Sequence, residues 1–128
     1  MTDNFRLFTL DEARKALPLV QRIAEDTRQI VLDLTRITGG IGVLMGTQEK
    51  TDVPEESRAE LEAILARFES CVAELNEIGV ELKGIDPVLI DFRSLRGGNE
   101  IYLCWALGEK DIAHWHPLSG GYAGRKEL

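Results

Sequence analysis

Residues 9–40, TLDEARKALPLVQRIAEDTRQIVLDLTRITGG, decide the fold. Thr9 followed three residues later by Glu12 is a capping box, and Asp11 and Glu12 complement the positive end of a helix dipole. Leu10, Ala13, Leu17, Val20, Ala24, Thr27, Val31 and Leu34 then recur at alternating steps of three and four. That spacing is a heptad seam, and it predicts a helix over residues 8–38 that Gly39 and Gly40 end. Ala16, Ile23, Ile30 and Ile37 fall at every g position beside the seam. Pro18 lies inside the pattern, so the helix either kinks there or a short first turn hands over to it.

Downstream, residues 39–53 form a glycine-rich loop with an apolar centre, Ile41-Gly-Val43-Leu44-Met45. Leaving that centre in water is costly, so it either tucks onto the end of the helices or meets a partner. Pro54 and Glu55-Glu56 mark the start of a second helix, expected over residues 54–84 with Gly84 after its last turn. Leu61, Leu65, Phe68, Val72, Leu75, Gly79 and Leu82 repeat the three–four spacing, with Ile64, Cys71 and Ile78 at g. Each helix would run roughly 42–45 Å at 1.5 Å per residue.

The period then changes. Residues 88–93 and 100–107 alternate as strands around an Arg96-Gly-Gly-Asn99 turn, and residues 112–116 supply a third. The expected fold is therefore α+β. A long antiparallel N-terminal helical hairpin precedes a small three-stranded antiparallel sheet and a Gly-rich tail (residues 85–128), all within one domain over residues 1–128. An apolar face of three positions in seven wants more cover than one neighbouring helix and a short sheet supply. A homo-oligomer follows as the expectation, most simply a dimer whose hairpins form a four-helix bundle. Its interface would use Ile23, Ile30, Ile37, Ile64 and Ile78, with Val43 and Leu44 from the loop.

Composition bounds the function. The chain has 128 residues, 15 Lys plus Arg against 22 Asp plus Glu, and a formal net charge of -7. The excess sits in residues 41–86, which hold 11 acids and 4 bases, while both flanks are balanced. Phosphate neutralisation needs Lys and Arg, so nucleic-acid binding is not expected. A basic protein partner, if any, would dock on the acidic second helix. No apolar run approaches the roughly 20 residues of a membrane span. Two cysteines are too few for a disulfide framework, and acids with Arg6 occupy the place of a signal peptide's apolar core. A cytoplasmic location is expected.

Strand alternation places Asp91, Arg93, Glu100, Tyr102, Cys104, His114 and His116 on one face, opposite Val88, Ile90, Phe92, Ile101, Leu103, Trp105, Leu107, Ala113 and Trp115. His114 and His116 then point the same way, about 7 Å apart along the strand. With Cys104, or else Glu100, from a neighbouring strand they are three candidate ligands for zinc or another borderline metal. No cofactor is otherwise expected, zinc being the alternative this trio allows. Acid–base work by a histidine with Asp91 or Glu100, or attack by Cys104, lacks any local signature such as a nucleophile elbow. The tail, Ser119-Gly-Gly-Tyr-Ala-Gly-Arg125, exposes N–H groups at Gly121 beside Arg125, a candidate anion site. The competing expectation pairs Arg125 with an acid such as Glu109.

Several C-terminal motifs, Asp86-Pro87, Leu89-Ile-Asp-Phe92, Gly98 with Glu100, Leu103-Cys-Trp105, Gly108-Glu109, Trp115-His116 and residues 121–125, resemble those of the bacterial family called domain of unknown function 2203. Phe8-Thr9, Ala13 and Leu17-Pro18 are similar to that family's opening helix. The resemblance implies a small soluble protein with a long helical hairpin, and it brings no catalytic residues. Taken together, the sequence reads as a non-enzymatic oligomerisation or protein-interaction protein. The alternative is a metal-dependent or nucleophilic small enzyme working on the polar sheet face around His114 and His116.

Overall fold

A computed structural model describes residues 6–128. Helix α1 spans Leu10–Thr38, one uninterrupted helix through Pro18. Pro18 stands two turns from the start, where its missing N–H deprives only the Arg14 carbonyl of a partner. Both halves of the capping box form: Glu12 N donates to Thr9 Oγ1 at 3.0 Å, and Thr9 N to Glu12 Oε1 at 2.9 Å. Gly39, at φ +83°, takes the left-handed turn that closes the helix.

The loop that follows is partly ordered into a one-turn helix α2, Gly42–Met45, and a 3-10 turn at Lys50–Asp52. Val43 and Leu44 lie half-buried against the core. A second 3-10 turn, Glu55–Ser57, leads into helix α3 at Arg58–Ile78. This helix is shorter at both ends than the expected 54–84. Gly79 ends it at φ +96°, its N–H bonding back to the Leu75 and Asn76 carbonyls, and the chain turns into a strand. Leu82 fell in phase with the helical seam, so periodicity carried the expected helix into residues that pair in the sheet.

Five strands form one antiparallel sheet in sequential order: β1 Glu81–Ile85, β2 Val88–Arg96, β3 Asn99–Ala106, β4 His114–Pro117 and β5 Lys126–Glu127. The expected three strands are corrected to five. β1 was hidden inside the expected helix, and β5 is a two-residue return of the glycine-rich tail onto β4.

Arg36 reaches Glu60 at 2.7 Å and Arg67 reaches Asp33 at 3.0 Å, while the Cys71 thiol meets Thr27. Residue numbers thus fall along α1 as they rise along α3. Their shared core holds Leu17, Val20, Ala24, Ile30, Leu34, Leu61, Ile64 and Leu75, continuous with Val88, Ile90, Phe92, Ile101, Leu103 and Trp105 of the sheet. Phe8, just ahead of α1, meets Phe92 edge-on with ring centroids 5.3 Å apart. Its N–H donates to the Arg93 carbonyl at 2.7 Å, and its carbonyl accepts from Ser94 Oγ at 2.5 Å.

This packing bears on the g positions. Ile23, Ile30 and Ile64 are buried within the single chain, and Ile37 and Ile78 are half-buried against the same core. The third apolar position per heptad therefore packs into the chain's own core. Of these five, Ile37 and Ile78 stay partly open. Among the described residues, no helix is long and apolar enough to cross a membrane.

Candidate functional site on the polar sheet face

Register sets the site. Across β2, β3 and β4, Asp91 stands beside Cys104 and Cys104 beside His114; one pleat along, Arg93 stands beside Tyr102 and Tyr102 beside His116. Alternation places all six on the face opposite Ile90, Phe92, Leu103 and Trp105. The sequence anticipated that grouping, but as a wet face. Instead Asp91, Tyr102, Cys104 and His116 are each at least 96% buried. The tail supplies part of the cover: Gly120 packs against Pro117 and the Cβ of His116.

Buried polar atoms need partners, and most find them. Arg93 Nη2 donates to Tyr102 Oη at 2.9 Å, and Tyr102 Oη donates to Glu81 Oε1 at 3.2 Å. Lys83 lies 3.3 Å from that same carboxylate and 4.3 Å from the Tyr102 ring centroid. Glu81 and Lys83 belong to β1, which is why the sequence reading missed them. On the other side, Arg125 Nη1 pairs with Glu109 Oε1 at 2.9 Å. Glu109 also accepts from the Ala106 N–H at 2.8 Å and lies 3.6 Å from His114 Nδ1.

These pairs relocate three candidates. His114 leans toward Glu109, away from the other two ligands proposed from sequence. Arg125 is held by Glu109, and Gly121 is exposed on the tail. The acidic flank of α3 is also partly matched, since Glu60 meets Arg36 and Glu62 meets Lys50.

What the fold does bring together is Asp91, Cys104 and His116. His116 Nε2 lies 2.9 Å from Asp91 Oδ2, and His116 Nδ1 lies 2.8 Å from the Pro117 carbonyl oxygen. Burial raises the Asp91 carboxyl above its ordinary range, and His116 only partly offsets it. Burial, with Asp91 alongside, pushes the Cys104 thiol up to about 12. A thiol so protonated at neutral pH is a poor nucleophile, which removes the support for Cys104 attack. Asp91 carried a signal in the sequence: it is the single charge inside the apolar run Val88-Leu-Ile-Asp-Phe92.

A second concave feature lies on the outer flank of α1. Gln21, Glu25, Arg28, Val31 and Leu32 face Ile85, Asp86, Pro87, Val88 and Leu107 across a cleft of about 860 Å³. Leu32 is 52% exposed there.

These features define a class: a small α+β protein with two packed helices on a five-stranded meander, whose far face carries a buried polar layer. The chain belongs to the family described as uncharacterized conserved protein (DUF2203), whose model matches residues 6–128. No curated protein and no solved structure matches it.

Proposed function

We propose that the chain works as a non-enzymatic assembly protein that forms a homodimer through the cleft between α1 and the β1–β2 turn. The observation that carries this reading is the cleft itself. Its lining includes the apolar Val31, Leu32, Ile85, Pro87, Val88 and Leu107 beside polar Gln21, Glu25, Arg28 and Asp86, and Leu32 stays half in water in the single chain. Contiguous apolar surface rimmed by polar groups is the mark of an interaction site. The rim argues for a second copy as the occupant. It mixes Arg28 with Glu25 and Asp86, so a two-fold arrangement can set the base of each copy against acids of the other. This keeps the dimer expected from the sequence and moves its interface one flank around α1, away from the buried Ile23, Ile30 and Ile64. The protonated Cys104 weighs against the nucleophilic form of the enzymatic alternative.

Sedimentation velocity over a micromolar concentration series tests it. A concentration-dependent dimer that Leu32→Glu converts to a folded monomer is the expected result. A wild-type chain that stays monomeric throughout, or a Leu32→Glu dimer of unchanged strength, overturns the reading.

A further inference from the structure

The trio Asp91, Cys104 and His116 invites a different question, independent of the dimer. Each residue offers one atom able to ligate a metal, and these atoms all lie within 4.8 Å of one another. They come from three adjacent strands, and all three residues are at least 97% buried.

Two observations bear on what the group could hold. The thiol of Cys104 bears on the Asp91 carboxylate, yet the buried Asp91 Oδ1 makes no geometrically sound hydrogen bond. A buried carboxylate oxygen left without a donor is costly. The second observation is the orientation of His116. Its Nδ1 faces the Pro117 carbonyl oxygen, which only accepts, so Nδ1 carries the hydrogen. Its Nε2 then faces Asp91 Oδ2 at 2.9 Å. A proton or a metal cation can bridge that nitrogen and oxygen. A proton would serve the pair alone, but the third side chain within reach is a thiol. Oxygen, nitrogen and sulfur donors together are a set suited to zinc and its borderline neighbours.

We infer that Asp91, Cys104 and His116 form a binding site for a divalent transition metal of the zinc class. His116 coordinates through Nε2, Asp91 through its carboxylate and Cys104 through its sulfur, whose proton leaves to solvent as the metal enters. The Nδ1–H bond to the Pro117 carbonyl is the outer contact that fixes a ligating imidazole's tautomer and tilt. Bond lengths of about 2.0–2.3 Å ask the widest ligand pair to close by roughly 1 Å, a displacement within the reach of side-chain rotation. Three protein ligands leave one coordination position for water. His114, the ligand expected from sequence, lies outside this trio, and its Nδ1 stands 3.6 Å from Glu109. By clamping β2, β3 and β4 together, the metal binds the folded state alone and raises the melting temperature.

Cobalt(II) titration of untagged, chelator-dialysed full-length chain decides the matter. The expected result is saturation at one equivalent, with a thiolate-to-cobalt charge-transfer band that zinc abolishes by competition. Cys71→Ser should keep the band and Cys104→Ser should lose it. Asp91→Asn should weaken zinc binding tenfold or more, and zinc should raise the wild-type melting temperature. No band in the wild type at excess cobalt overturns the site, as does a band that survives Cys104→Ser. Should Cys104→Ser fail to fold, the Cys71→Ser chain still decides, because Cys104 is then its one thiol.

Discussion

Ile30 and Leu32 stand two residues apart on α1, and their substitution by alanine separates the core of the chain from its proposed interface. Ile30 is 1% exposed and Leu32 is 52% exposed. Truncating Ile30 removes three buried carbon groups worth about 0.8 kcal/mol each, and the cavity left behind raises the loss to about 3–4 kcal/mol. At about 2.1 cal/mol/K of unfolding entropy per residue, each kcal/mol lost from a chain this size lowers Tm by about 4 °C. Ile30→Ala should therefore melt about 12–15 °C below wild type. Leu32→Ala removes groups already half in water and leaves no closed cavity, so its cost to the monomer is about 1 kcal/mol or less. Alanine's better helix propensity offsets a little of that.

The assay is thermal unfolding followed by far-ultraviolet circular dichroism, with sedimentation on the same samples. Melting at low concentration, where the chain is monomeric, should show the full Ile30 loss and almost none for Leu32. At higher concentration the wild type gains stability by mass action while Leu32→Ala gains less. Equal losses for the two variants in the monomer would refute the assignment of Ile30 to the core and Leu32 to the surface. So would a Leu32→Ala chain whose melting follows the wild type at every concentration where the wild type is dimeric.

Ser94→Ala strands the buried Phe8 carbonyl, which accepts from Ser94 Oγ at 2.5 Å. It should cost about 1–3 kcal/mol and speed hydrogen exchange at the Phe8 N–H; an unchanged melt with unchanged exchange would show that this tie carries no weight. Cys104 makes a pH prediction for the metal-free chain. Its thiol is held up to about 12 in the fold against about 8.5 when unfolded, so the folded state binds more protons between those values. Stability should then fall as pH climbs from about 9, by up to about 1.4 kcal/mol per unit. Urea titrations of wild type and Cys104→Ala at stepped alkaline pH compare the slopes. A Cys104→Ala chain that loses stability as steeply as wild type would count against this assignment.

Much of the architecture was legible before any coordinates. The Thr9–Glu12 box, the seam from Leu10 to Leu34 and the closing glycines place α1 because local hydrogen bonding and a 3.6-residue period are properties of contiguous sequence. The two long strands and the grouping of Asp91, Cys104 and His116 on one face follow as directly from a period of two. β1 escaped because Leu75, Gly79 and Leu82 satisfy helical spacing while Gly79 in fact ends the helix in a left-handed turn. Its pairing partner lies across the following turn, and pairing energy is invisible to a local pattern. β5, two residues long, is held by register with β4 alone.

What the sequence by itself determined was the set of apolar and polar faces, the start and end of α1, the acidic middle segment and the family to which the chain belongs. Tertiary structure decided what covers each face. The g-position isoleucines looked partnerless because a single helix cannot show how the rest of the chain will pack against it. Likewise the polar sheet face looked wet because alternation reports direction and says nothing of the tail that packs on the far side. Asp91 displaced His114 from the metal-ligating trio for the same reason. Residues directly paired across strands need not touch at their ends, and a diagonal contact between Asp91 and His116 depends on tilt and burial that exist only once the sheet is packed.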